Sequence, residues 1–393
     1  MARQRLELAD VVRAHRARFT TYREGRVSAA ERRVLDDIVA CRTAARGGHV
    51  ERCDACGHLR IAYNSCRNRH CPKCQELARA EWLADRQQEV LPVEYFHVVF
   101  TVPQEIAALA LQNKKLLYAL LFRASAEALR EIAADPQHLG AELGFLSVLH
   151  TWGQTLEHHP HVHCVIPGGG LAPDGSTWVS CRPGFFLPVR VLSRLFRAKF
   201  LYHLKRAFRR GKLGFHGQLT PLRSASAFRS YLKPMFRREW VVYAKPPFGG
   251  PAQVLDYLAR YTHRVAISNH RLVSMTADSV TFTWKDYRLD GQKRTMTLDA
   301  TEFLRRFLLH LLPKGFMRIR HYGFLANRCR HAKLDRCRQL LAAAPSPSPL
   351  DRTDGTEPLQ CPQCRRGRMA CILVFAAGDA TADFASKLQL DSS

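Results

Sequence analysis

No stretch of this 393-residue chain approaches the roughly 18 consecutive apolar residues that a membrane span needs, so no transmembrane helix is expected. The opening residues, Met1-Ala-Arg-Gln-Arg-Leu-Glu7, lack an apolar h-region. Export by a signal peptide is therefore not expected, and a cytoplasmic, nucleoid-associated location is. There is no internal repeat. Acidic side chains are scarce: 34 Asp+Glu stand against 60 Lys+Arg, for a formal net charge of +26 and a pI near 10.0. Lysine is scarce as well, supplying only 13 of the 60 bases. Codon bias accounts for Arg over Lys but not for the deficit of acids. Clustered bases release counterions on meeting phosphates, so the expected partner is nucleic acid rather than a membrane. The 46% hydrophobic and 24% charged content excludes a largely disordered or collagen-like chain. The length allows two or three domains.

Cysteine is present in quantity, and thirteen residues without an export signal point to metal or thiol chemistry rather than to a disulfide framework. Six fall between Cys41 and Cys74, and three between Cys361 and Cys371. Cys53-Asp-Ala-Cys56 and Cys71-Pro-Lys-Cys74 are two CxxC knuckles about fifteen residues apart, the spacing of a four-thiolate structural Zn²⁺ site. Cys66 and His70 lie inside that loop, so a mixed set of Cys53, Cys56, Cys66 and His70, or a second ion, stays open. Arg67, Arg69, His70 and Lys73 around the second knuckle suit a DNA-contacting zinc ribbon. Cys361-Pro-Gln-Cys364 is a single knuckle and supplies half a tetrahedral site. Cys371, Cys329 or Cys337 are candidates for the remainder, and a redox pair is the alternative.

Elements can be placed coarsely. Ser28 and Glu31 form a capping box ahead of a helical run through Val34, Leu35, Ile38 and Val39, which stops at Gly47-Gly48. A helical stretch from Trp82 to Val90 leads to a strand over 95–102, ended by Pro103. One long amphipathic helix is predicted over 104–133, then strands over 146–152 and 161–166. A basic amphipathic helix covers 188–210 and reads equally as a solvated face or a DNA contact. A further helix carries Tyr257 and Tyr261, and a hairpin follows at 271–275 and 280–284. The Pro/Ser stretch 342–358 reads as a linker. These boundaries predict an N-terminal helical segment (1–45), a zinc-binding module (46–90), a catalytic domain (91–341), the linker, and a tail (359–393). The interleaving of strands and helices suggests an α/β or α+β core.

Two further motifs carry chemistry. In Glu157-His-His-Pro-His161-Val-His163, the last two imidazoles project to one face of a strand and can hold one divalent ion. A His-rich tract that binds metal adventitiously reads the same way. In Asp256-Tyr257-Leu-Ala-Arg260-Tyr261-Thr-His-Arg264, the two phenols lie one helical turn apart, and Arg260 and Arg264 offer donors suited to phosphate. A phenol near a divalent cation can attack a phosphodiester. Two aromatics at that spacing are also an ordinary packing pair.

Taken together, the basic charge, the histidine pair after a strand and the paired-tyrosine helix resemble an HUH endonuclease. The segments 49–75, 96–103, 149–170, 257–272 and 318–338 resemble more closely the rolling-circle transposases of the IS91 family, over nearly the whole chain and in the expected order. That resemblance implies an α+β fold: an HUH catalytic domain with a central antiparallel sheet, preceded by a zinc-ribbon-like module. It implies metal-dependent cleavage and strand transfer of single-stranded DNA, at element ends and target, through a 5′-phosphotyrosine. Tyr257 and Tyr261 match the nucleophiles, and His161 and His163 match the ligands of a catalytic Mg²⁺ or Mn²⁺. Gln154 is the first candidate for a third ligand and Glu157 the second. Arg318 and Arg320, in the basic C-terminal part, join Arg67, Arg69, Lys73, Arg260 and Arg264 as expected DNA contacts. A rolling-circle replication initiator, a relaxase and a non-catalytic zinc-dependent DNA-binding protein are the alternatives.

Overall fold

The computed structural model describes residues 5–86, 89–245, 253–254, 262–342 and 359–377. Two compact units emerge. The first combines Met1–Ala78, Ile267–Leu308 and Ser348–Ser393; the second combines Arg79–Ala266 and Leu309–Pro347. This partition differs from the expected boundaries. The hairpin region that the sequence assigned to the catalytic domain belongs to the first unit, and so does the C-terminal tail.

The second unit is built on a five-stranded antiparallel sheet. Its strands are β3 (Tyr95–Thr101), β4 (Gly144–Trp152), β5 (His158–Pro167), β8 (Val242–Lys245) and β12 (Ile319–Gly323), in the order β12-β4-β5-β3-β8, while the short β6 (Gly169–Leu171) and β7 (Trp178–Ser180) pair with each other. The two-residue period of a strand explains how the sequence divides between the faces. Phe96, Val98 and Phe100 of β3 and Val162, Cys164 and Ile166 of β5 all fall on one face. There they join a single apolar core with Leu117, Leu121 and Leu129, and with Phe196, Phe200 and Leu204. The helices that supply this cover are α4 (Gln104–Gln112), α5 (Lys114–Ala134), α6 (Val189–Arg209) and α7 (Ala225–Arg237).

The single helix expected over 104–133 is divided at Asn113, whose φ and ψ of −126° and 39° leave the helical region. The Asn113 side chain explains the break. Its amide donates to the Gly214 carbonyl at 2.9 Å and accepts from the Gly214 N–H at 2.7 Å, which anchors the break to the loop after α6. No helix among the described residues is long and apolar enough to cross a membrane.

The first unit opens with α1 (Leu8–Tyr22) and α2 (Ala29–Ala40), the latter entered through the predicted Ser28/Glu31 capping box. A second layer has three antiparallel strands, β9 (Leu272–Met275), β10 (Ser279–Asp286) and β11 (Gln292–Asp299), followed by α8 (Ala300–Leu309). Phe282 of β10 packs on Phe303 of that helix, 5.8 Å between ring centroids. Arg18 of α1 pairs with Asp299 at 3.0 Å and with Asp278, which ties the layer to the N-terminal helices. A further sheet, in the order β13-β1-β2, joins β1 (Gly48–Cys53) and β2 (Leu59–Tyr63) to β13 (Met369–Phe375). Strands more than 300 residues apart are thus neighbours. The helix α3 (Pro72–Arg86) starts in the second knuckle, with Pro72 at the position where a missing N–H costs nothing. It replaces the shorter helix expected from Trp82.

Candidate functional site

On the sheet face opposite the helices, β5 again alternates, now through His161, His163 and Val165. Residues directly opposite in antiparallel strands share a face, and His150 of β4 is paired with His161, Val148 with His163. From the other side β3 places Thr101 opposite His161 and Val99 opposite His163, with His97 on the same face. One end of this face is apolar, with Tyr95, Leu146, Val148 and Val165. The other end is a cluster of imidazoles.

His150, His161 and His163 each bring a ring nitrogen within 4.8 Å of the others. The ring centroids of His150 and His163 are 4.4 Å apart, and those of His161 and His163 4.8 Å. Each of the two predicted ligands is oriented from behind. His161 Nδ1–H donates to the His159 carbonyl at 2.7 Å, which commits that tautomer to presenting a lone pair on Nε2. A 2.8 Å hydrogen bond joins His163 Nδ1 to His97 Nε2, the rings stacked with 5.0 Å between centroids. Burial, opposed by the hydrogen bond to the His159 carbonyl and aided by the charge of Arg264, holds His161 at about 4. Burial, followed by the neighbouring His150, His161 and His97, holds His163 well below the usual imidazole value. Both are therefore neutral at pH 7, the form that ligates metal. The donor set fits a divalent transition ion. Three nitrogens suit Mn²⁺ or a later first-row metal better than Mg²⁺, which prefers oxygen.

The third side chain that the fold places to ligate beside the predicted pair is thus His150. Gln154 instead lies in the turn between β4 and β5, and Glu157 at the end of that turn. The sequence reading missed His150 although a signal was available. It stands in a strand whose first eight residues are all buried, where an isolated imidazole requires a polar partner.

Tyr257, Tyr261 and Arg260 lie outside the described residues. Arg264, three positions after Tyr261, is described, and its charge bears on both His161 and His163. Its carbonyl accepts from Arg318 Nη1 at 3.3 Å. Arg320 is spent differently, its guanidinium lying 4.3 Å over the Phe122 ring and 5.3 Å over that of Phe316. In the first unit Arg67 is exposed, Arg69 and His70 are half-buried, and Lys73 is paired with Glu7 at 2.6 Å. Arg42, Arg46, His49, Arg60 and Arg67 line a cavity of about 970 Å³. Arg46 is paired with Asp37 and Arg60 with Glu51, which leaves Arg42 and Arg67 as its exposed cations.

The thiolates regroup. Cys53, Cys56, Cys71 and Cys74 do not converge on one point, and His70 joins neither set. Cys71 and Cys74, one turn apart at the start of α3, meet Cys66 and Cys41, the residue that ends α2. The sulfurs of Cys41 and Cys66 lie 3.5 and 3.4 Å from that of Cys74. Cys53 and Cys56 meet Cys361 and Cys364 instead. The two-knuckle spacing misled because Cys41 belongs to no CxxC pair, and because the partner knuckle stands at the far end of the chain.

Two family models match the chain. One, described as "Transposase zinc-binding domain", covers residues 11–102 and with them the first thiolate cluster; the other, described as "Putative transposase", covers residues 144–333 and with them all three clustered histidines. The class is therefore a transposase with its own zinc-binding domain. "Putative transposase y4qJ" of Sinorhizobium fredii is 59% identical over 390 residues, covering 95% of this chain and 97% of its own. "Transposase for insertion sequence element IS801" of Pseudomonas savastanoi pv. phaseolicola is 28% identical over 334 residues, covering 83% of this chain and 78% of its own. The chain belongs to the IS91 family of insertion-sequence transposases. No solved structure matches it.

Proposed function

We propose that this transposase cuts and rejoins single-stranded DNA through a tyrosine ester, the route of rolling-circle transposition. The observation that carries the reading is the imidazole cluster of His150, His161 and His163 at the centre of the sheet, with His161 and His163 neutral and oriented from behind by His159 and His97. In the sequence, Tyr261 and Tyr257 stand three and seven residues before Arg264, whose charge already bears on that cluster. His150, His161 and His163 would hold a divalent ion, which would supply Lewis-acid polarisation of the scissile phosphate.

The chain's own groups do the rest. A tyrosine phenol loses its proton and bonds phosphorus as the P–O3′ bond breaks, which leaves a 5′-phosphotyrosine and a free 3′-hydroxyl. Transesterification conserves the phosphodiester energy, so no ATP is needed. A second tyrosine lets one cleavage follow another before the first ester is resolved. Arg264 and Arg318 supply positive charge beside the reacting phosphate, and Arg42 and Arg67 grip the backbone elsewhere.

The test is covalent capture of a labelled single-stranded oligonucleotide carrying the element's end, in Mn²⁺. Wild type should give a protein–DNA band on a denaturing gel, and Y257F/Y261F none. A band that persists in the double variant would overturn the two-tyrosine reading. Normal nicking by H161A/H163A would show that the metal is held elsewhere.

A further inference from the structure

We propose that Cys53, Cys56, Cys361 and Cys364 bind a second Zn²⁺, separate from the one the N-terminal family domain accounts for, and that this ion clasps the C-terminal segment onto the N-terminal module. The second knuckle lies beyond both matched family regions, which end at residues 102 and 333. The inference is independent of the strand-cleavage chemistry.

The geometry is that of a tetrahedral site. With a Zn–S bond of about 2.3 Å, sulfur-to-sulfur edges should be about 3.8 Å. Cys53 Sγ lies 3.7 Å from Cys364 Sγ, and Cys56 Sγ 3.7 Å from Cys361 Sγ. All four sulfurs lie within 4.8 Å of one another. A disulfide would need about 2.05 Å.

The two knuckles also share one backbone construction, although they lie at opposite ends of the chain. In each, the residue after the second cysteine has a left-handed φ, +71° at Gly57 and +55° at Arg365. In each, that residue's N–H donates to the carbonyl of the first cysteine, at 3.1 Å and 3.0 Å. Backbone N–H groups point at sulfur in both: Cys56 N–H to Cys53 Sγ and Gly367 N–H to Cys364 Sγ, each at 3.4 Å. Donors aimed at sulfur favour thiolate over thiol.

The halves are locked face to face. The Asp54 N–H donates to the Arg368 carbonyl at 3.1 Å, and the Arg368 N–H returns a bond to Asp54 Oδ1 at 2.8 Å. Gly367 has to be glycine, since a Cβ there would lie 2.4 Å from Cys53 Sγ. From Met369 the chain then pairs along β1 in antiparallel register, Met369 opposite Cys53 and Phe375 opposite Gly48. The ion and the strand therefore anchor the same segment at adjacent points.

The experiment counts thiolate-bound metal on the full-length chain. Co²⁺ titration of metal-free wild type is followed by the thiolate-to-cobalt charge-transfer band, which an all-histidine site does not produce. The band should reach full intensity with two thiolate-bound ions, and zinc-loaded H150A/H161A/H163A protein, which lacks the imidazole cluster, should carry two tightly held Zn²⁺ by native mass spectrometry. C361S/C364S should halve the band and retain one thiolate-bound ion, and C41S/C66S should do the same through the other cluster. C53S/C56S should also speed proteolysis of the segment after residue 358, more than 300 residues away. Saturation at one equivalent in wild type overturns the proposal without reference to any variant's folding. So does a C361S/C364S protein whose charge-transfer band keeps its wild-type intensity, or a wild-type mass short of hydrogens through a disulfide between the knuckles.

Discussion

His163 is enclosed by imidazoles on three sides and by the field of Arg264, so its neutral form is enforced by surroundings that a metal ion would also exploit. The residues around it divide into ligands and supports. If the cluster holds a metal as proposed, His150→Ala removes a ligand, whereas His97→Ala removes the group that orients His163. Loss of such an outer support costs roughly 10–100-fold in metal affinity. We expect that drop for His97→Ala and a larger one for His150→Ala, read by Mn²⁺ titration with electron paramagnetic resonance; unchanged affinity in His97→Ala would remove its positioning role. On the opposite sheet face His158 is held by Tyr118 Oη–H at 2.8 Å, and burial, then the nearby His310 and Lys114, bring it down to about 3. Its folded value lies below the unfolded 6.5, so the unfolded chain binds the extra proton between those limits. Stability is then fully present above about pH 6.5 and is lost as pH falls toward 3, by about 3 kcal/mol between pH 7 and pH 4 for this group. Thermal melts of wild type and His158→Gln should converge as pH falls; parallel pH profiles would reject the assignment.

At the scale of elements, β5 explains how one strand serves two purposes. Its even positions from Val162 to Ile166 fill the core beneath α4, α5 and α6, and its odd positions carry His161 and His163, so a one-residue slip would turn the imidazoles into the helix-covered core and the core side chains onto the imidazole face. The break between α4 and α5 is similarly specified, because Asn113 satisfies both backbone groups of Gly214. Asn113→Ala should cost about 2 kcal/mol in urea denaturation by leaving those groups unpaired; a cost near zero would mean that the loop reorganises. Much of this was legible in the sequence. The β3 and β5 strands, the α2 capping box and the basic helix α6 follow from period and local chemistry. Other features were not: β13 looks like part of a tail because the strand it completes is more than 300 residues away, and no local signal encodes that pairing. Nor does the spacing in Cys71-Pro-Lys-Cys74 say which other sulfurs will close its site.

For the molecule as a whole, the charge of +26 predicts salt-dependent DNA binding. Each phosphate contact to a single strand contributes about −0.7 to the slope of log K against log salt. Arg42 and Arg67 are exposed at one cavity, so R42A/R67A should flatten the slope by about 1.4 in fluorescence anisotropy with single-stranded DNA. An unchanged slope would place the DNA path elsewhere, with Arg264 and Arg318 the next cations to test. The sequence by itself determined the partner class, the presence of metal-binding thiols, the HxH pair and the family, because charge, ligand type and strand parity are local properties. Only the tertiary structure decided that His150 completes the imidazole cluster, that Cys41 completes one thiolate set and that Cys361 and Cys364 complete the other. Ligand sets are closed by strand register and by the meeting of distant segments, and those depend on how whole faces are buried rather than on any short stretch of chain.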